Sequence, residues 1–117
     1  MRILILGYGK MGKTIEKVAL ERKHEIVGKI NAQNAETLQN FDAQNTEVAI
    51  EFSQPEVAYQ NIKFCLKKNI PVVSGTTGWI EKLAELEKYC QAEKGAFFYA
   101  SNFIFEFRVY NLQGCNL

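Results

Sequence analysis

Residues 2–17 read RILILGYGKMGKTIEK. Positions 2–6 are an apolar run without the alternation of a half-exposed strand, so they predict a strand buried on both faces. From Lys10 to Arg22 the period changes: Met11, Ile15, Val18 and Arg22 recur four, three and four apart, with Lys13, Glu16 and Lys17 off that stripe. Strand, glycine turn and amphipathic helix therefore follow one another. In GYGKMG, 7–12, Gly7 permits the tight turn, Gly9 lets the backbone approach a diphosphate, and Gly12 lets helix and strand pack closely. A dinucleotide's diphosphate would rest against the unpaired N–H groups of the helix start.

The same alternation of periods continues along the chain. EIVGKI, 25–30, predicts a second strand; the Asn- and Gln-rich stretch 31–45 predicts loops with a short helix around Ala35–Asn40. EVAIEF, 47–52, predicts a third strand running into SQPE, where Ser53 would cap the next helix, Glu56 close a capping box and Pro55 occupy the first turn. Ala58, Ile62, Cys65 and Leu66 supply that helix's apolar face. IPVVS, 70–74, predicts a fourth strand, GTTG a turn, 79–91 a helix carried by Ile80, Leu83, Leu86 or Glu87 and Cys90, and GAFFYAS a fifth strand ending near Ser101. Strands separated by helices predict an α/β fold, a doubly wound parallel sheet whose ligand edge lies at the carboxyl ends of the strands. GYGKMG, FSQP, GTTG and SNF all follow strand ends, so all four fall on that edge. In the tail, 104–117, Phe105, Phe107 and Val109 alternate with Glu106, Arg108 and Tyr110, but no helix precedes them; the segment continues strand five, turns back as an edge hairpin, or stays unpacked.

With 117 residues, 47% hydrophobic and 23% charged, the chain is one domain long and globular in composition. A formal charge of +1 offers no field for nucleic acid or a membrane surface. No apolar window is long enough for a transmembrane helix, and the run before Gly7 is too short for a signal peptide core. The three cysteines form no CxxC pair, which predicts a reducing compartment, and a cytoplasmic location is expected.

Chemistry-bearing residues are few. The acid that would hold an adenosine ribose at the end of strand two is replaced by Asn31, which can make one such hydrogen bond or serve as an ordinary turn residue; Lys10 or Lys29 could meet a 2′-phosphate, so NADH and NADPH both stay open. Gly75 and Gly78 give the GTTG loop freedom to pass close to a flat ring, while the Thr77 hydroxyl either meets a carboxylate or caps the following helix. Glu51 is a base or a satisfied structural acid. His24 lies away from the ligand edge, and as the lone histidine it leaves no metal cluster and no Ser/His/Asp set to assemble. No catalytic residue is assigned.

GYGKMG at 7–12, EFSQPE at 51–56, VVSGTTGW at 72–79 and ASNF at 100–103 together resemble dihydrodipicolinate reductase, the NAD(P)H-dependent enzyme of lysine and diaminopimelate biosynthesis, over residues 1–103. The resemblance implies a Rossmann-like cofactor domain in which Gly9, Lys10, Met11 and Gly12 surround the diphosphate and Phe52 and Ser53 lie beside the cofactor. It also implies that Gly75 and Thr77 face the nicotinamide, with Thr77 against a substrate carboxylate, and that Ser101 and Phe103 line the same cleft. From 104 on the sequence matches none of the family's second domain, which binds the cyclic dicarboxylate substrate, supplies the acid and forms the tetramer. Residues 1–103 are thus expected to be the cofactor-binding domain and 104–117 a divergent tail, giving a chain that binds NADPH or NADH with little turnover alone. A non-enzymatic nucleotide-sensing or partner-binding module is the alternative.

Overall fold

A computed structural model describes residues 1–76, 82, 84–86, 88, 97–102 and 106–110. Six strands form one sheet: β1 (Arg2–Leu6), β2 (Glu25–Ile30), β3 (Val48–Glu51), β4 (Val72–Ser74), β5 (Phe97–Asn102) and β6 (Glu106–Tyr110). Helices α1 (Lys10–Glu21) and α2 (Pro55–Lys67) and a 3-10 helix over Ala35–Asn40 lie between the first four strands. The strand order is β2-β1-β3-β4-β5-β6. β1 to β5 are parallel, and β6 pairs antiparallel with β5. The tail thus takes the edge-hairpin course among those its sequence allows. Of the predicted helix 79–91, residues 84–86 and 88 are helical and Leu86 is fully buried, while Ile80, Leu83, Glu87 and Cys90 lie outside the described residues.

β1 shows why its apolar run does not alternate. Leu4 and Leu6 pack into a core with Ala58, Ile62, Cys65 and Leu66 of α2, whereas Ile3 and Ile5 pack with Ala19 and Ile15 of α1 on the opposite face. Side chains with period two serve two cores, so neither set can be polar.

α1 has the expected period but not the expected phase. Gly12 and Ala19 are its buried residues, and Met11 and Val18 are 44% and 42% exposed. A Cβ on Gly12 would lie 2.3 Å from the Gly7 carbonyl oxygen, so the helix approaches the turn too closely for any side chain there. That approach turns the helix so that Gly12, Ile15 and Ala19 face the sheet, while Met11, Val18 and Arg22 of the expected stripe are exposed.

The capping box at α2 does not form either. Gln54 is the N-cap without a side-chain hydrogen bond, Pro55 takes the first turn as expected, and the Ser53 hydroxyl turns inward to Glu51. A buried carboxylate outcompetes an exposed helix end for one hydroxyl proton.

Cys65, fully buried in the α2-side core, has its thiol pushed well above the usual range, first by burial and then by the Glu51 charge. Alkylation of the native chain at mildly alkaline pH should therefore spare Cys65 and label it only in denaturant; peptide mass spectrometry reads this, and prompt native labelling would contradict the buried placement.

Candidate functional site

The parallel register lines up the strand ends. Leu6 pairs with Ile30 on one side and Glu51 on the other, Glu51 pairs with Ser74, and Ser74 with Tyr99. The ladder runs one rung further through Gly7 N–H to the Ile30 carbonyl, Phe52 N–H to that of Leu6 and Gly75 N–H to that of Glu51, at 2.8, 2.9 and 2.8 Å. Consequently Asn31, Gly7, Phe52 and Gly75, each the first residue beyond its strand, stand side by side along one edge. The chain reverses direction across the sheet between β1 and β3, where open α/β sheets leave a crevice.

The three fingerprint glycines separate by cause. Gly7 has φ +99° and a Cβ there would sit 2.2 Å from the Phe52 carbonyl oxygen. Gly12 is demanded by the Gly7 carbonyl. Gly9 has no such requirement: its φ of −91° suits any residue, and a Cβ would meet nothing within 4 Å. Gly9 is also the N-cap of α1, with no side-chain cap and no acid in the first turn. The helix's leading N–H groups thus open onto space that a Cβ would fill, and Lys10 and Met11 are exposed beside it.

A cleft of about 290 Å³ adjoins them, lined by Met11, Phe52, Ser53, Pro55, Gly75 and Thr76. Gly75 is glycine because of Phe52, whose ring carbon Cε1 would be 2.1 Å from a Cβ there. The structure thus brings Gly7, Gly9, Lys10, Met11, Gly12, Phe52, Ser53 and Gly75 to one edge. The backbone of Ser101 lies at a bulge near the carboxyl end of β5, between Ala100 and Asn102. Thr77 and Phe103 lie outside the described residues.

Beneath the cleft Glu51 is fully buried. Its carboxylate accepts from the Ser53 N–H at 2.8 Å, the Ser74 hydroxyl at 2.6 Å and the Thr76 hydroxyl at 2.7 Å, as well as from the Ser53 hydroxyl. Of the two roles open to Glu51, this is the satisfied structural acid. Thr76 and Ser74 were missed as site residues. The signal was present as a polar pair at i, i+2 on each of two neighbouring strand ends, Glu51 with Ser53 and Ser74 with Thr76; only the register shows that the pairs meet.

At the far end, the Asn31 side-chain oxygen accepts the Gln33 and Asn34 N–H groups at 2.9 and 3.1 Å, so it is occupied by its own turn. Lys29 donates to Glu16 at 3.0 Å and lies 4.9 Å from the Tyr8 ring centre, and the Tyr8 hydroxyl also donates to Glu16. Glu16 is held below the usual carboxylate range, first by the Tyr8 hydrogen bond and then by that from Lys29, and the Lys29 ammonium is raised, chiefly by its bond to Glu16. Lys29 thus already has its counter-charge, whereas Lys10 stands at the helix start. His24, at the opposite edge, lies with Nδ1 3.0 Å from the terminal amine of Met1.

Residues 1–103 match the family model "Dihydrodipicolinate reductase, N-terminus". The 4-hydroxy-tetrahydrodipicolinate reductase of Christiangramia forsetii is 48% identical over 105 residues, covering 88% of this chain and 42% of that protein. Its counterpart from Staphylococcus haemolyticus is 39% identical over 92 residues, covering 73% and 37%. The chain thus spans about two fifths of the length of these curated relatives. Among solved structures, the dipicolinate-bound dihydrodipicolinate reductase of Paenisporosarcina sp. TG-14 superposes with a TM-score of 0.72 at 21% identity over 88% of this chain and 48% of that one, a likeness of fold.

Proposed function

Because the chain belongs to the dihydrodipicolinate reductase family, matched over residues 1–103 by its N-terminal domain, we propose that its cleft binds NADPH or NADH for the reduction of 4-hydroxy-tetrahydrodipicolinate, in the cytoplasm, on the way to lysine and diaminopimelate. The observation that carries this is Gly9. It is the one fingerprint glycine that the protein's own packing does not require, and it stands where helix N–H groups open outward.

In this reading the N–H groups of Lys10, Met11 and Gly12 hold the diphosphate and the Lys10 ammonium adds charge. Met11 and Phe52 form apolar walls, and Ser53 and Gly75 border the ring end. Thr77, Ser101 and Phe103 complete the cleft, with Thr77 offering its hydroxyl to a carboxylate of the cyclic dicarboxylate. Asn31 borders the adenosine end with its side-chain amide. A bound nicotinamide cofactor supplies hydride; the chain's part is to hold it in place and exclude water from its flank.

Among the described residues, those lining the cleft, Met11, Phe52, Ser53, Pro55, Gly75 and Thr76, include no acid or base. Residues 1–117 alone are therefore proposed to bind cofactor and to reduce substrate at background rate, the proton and most substrate contacts coming from a further domain such as the longer relatives have room for. Residues 104–117 would be a divergent tail outside the family's cofactor domain. Titration of the purified chain with NADPH and NADH, followed by nicotinamide fluorescence, should give saturable binding of at least one. Absence of saturation with both rejects the proposal, and substrate reduction well above background rejects the expected division of labour.

A further inference from the structure

We infer that Glu51 is a positioning residue for this cleft: its buried carboxylate clasps the chain leaving β3 to the chain leaving β4 and so fixes the wall that Phe52 and Gly75 present to the ligand. The inference rests on the cofactor reading above for its consequence in binding, but the clasp itself is a property of the free chain.

The geometry is that of two strand ends with period two. Glu51 and Ser53 on one, and Ser74 and Thr76 on the other, turn toward the α2 side, where Leu6, Ala49 and Val72 end the apolar core. Phe52 and Gly75, the residues between, meet each other: the Phe52 ring occupies the place where a Gly75 Cβ would be, within 2.1 Å. The polar pairs and the apolar pair thus lock one another. Cross-ties complete the clasp. The Ser53 N–H donates to the Thr76 hydroxyl oxygen at 2.8 Å as well as to Glu51, and the Asn61 side-chain amide of α2 donates to the Ser53 hydroxyl oxygen at 3.3 Å.

Proton counting shows what the clasp denies to a ligand. Each hydroxyl has one proton to give. That of Ser74 goes to Glu51 Oε1 and that of Ser53 to Oε2. Thr76 lies 2.7 Å from Oε2 and 3.2 Å from the Ser53 carbonyl, so its proton also goes to the carboxylate. Ser53 and Thr76 border the cleft, yet their protons point inward. Their service to a ligand is the placement of backbone and of the Phe52 ring.

The test uses Glu51→Gln, which keeps the shape but puts an amide N–H against hydroxyl donors, together with Thr76→Val, which keeps the shape and removes the hydroxyl that ties Ser53 and Glu51, and Thr76→Ser, which restores the hydroxyl. The expected result is a rise in the Kd for NADPH or NADH of about 10-fold or more in Glu51→Gln and Thr76→Val, with near-parental affinity in Thr76→Ser. Unchanged affinity in a folded Glu51→Gln chain overturns the inference, as does equal loss in the two Thr76 variants, which would make packing and not the hydroxyl responsible. Should Glu51→Gln not fold, the Thr76 pair decides. Amide exchange supplies a reading that needs no ligand: Ser53 N–H, which in Thr76→Val keeps the Glu51 carboxylate but loses the Thr76 oxygen as acceptor, should exchange faster there than in Thr76→Ser, while Leu4 and Ile5 stay protected in both. Absence of cofactor binding by the parent chain would reject the cofactor reading alone; equal Ser53 exchange in Thr76→Val and Thr76→Ser would reject the clasp alone.

Discussion

Gly9→Asp raises the Kd for NADPH or NADH by about 100-fold or more, because two unit charges about 4 Å apart repel by roughly 4 kcal/mol at the effective dielectric of a protein surface, part of which salt screens. The new carboxylate would occupy the space that helix α1 opens at its N-terminus, in the place of the diphosphate. Folding should not suffer. Gly9 has an ordinary φ, a Cβ meets nothing within 4 Å, and it is the N-cap of α1, a position that favours aspartate. Stability should therefore stay the same or rise by a few tenths of a kcal/mol, the difference between aspartate and glycine as caps. A fluorescence titration beside a thermal melt checks both halves. Intact binding with an intact melt would remove the diphosphate from this turn, and a collapsed melt would mean that the turn needs its second glycine for itself.

Gly7→Ala has the opposite signature. At φ +99° a residue with a Cβ is strained by about 1–3 kcal/mol. Its Cβ would also stand 2.2 Å from the Phe52 carbonyl oxygen, an atom of the backbone that cannot step aside without moving the end of β3. Displacing that packed neighbour adds about 1–3 kcal/mol. A total loss of roughly 2–6 kcal/mol is expected, with the melting temperature falling by about 8 °C or more. Urea or thermal unfolding measures it, and a loss below about 1 kcal/mol would show that the turn is looser than drawn. Two substitutions in the same fingerprint, one silent to folding and one silent to nothing, separate the glycine that serves a ligand from the glycine that serves the chain.

Why so much of the edge was legible follows from the parallel sheet. A parallel strand buried on both faces, as β1 is, must be apolar throughout, and each parallel strand must hand over to its turn at the same side. GYGKMG, FSQP and the start of GTTG, each following a strand end, therefore fall together on sequence grounds alone. The helix faces were less legible. Periodicity reports that α1 is amphipathic, but its contact is made by Gly12 and Ala19 with Ile15, and a hydropathy stripe gives no weight to glycine. The Ser53 capping box failed for a related reason: sequence spacing counts partners within the next helix turn and cannot see Glu51 and Thr76 brought from two strands.

The order of apolar and polar residues determined, without help, that this chain makes a parallel α/β sheet with a glycine-rich turn at the head of its first helix, because strand and helix periods are local properties of a chain. Which glycine serves the fold and which the cleft, which way α1 faces, and that a buried carboxylate binds two loops into one wall were decided only when the strands paired. Those are distances between atoms far apart in sequence, and only the packed sheet brings them to within a few ångströms.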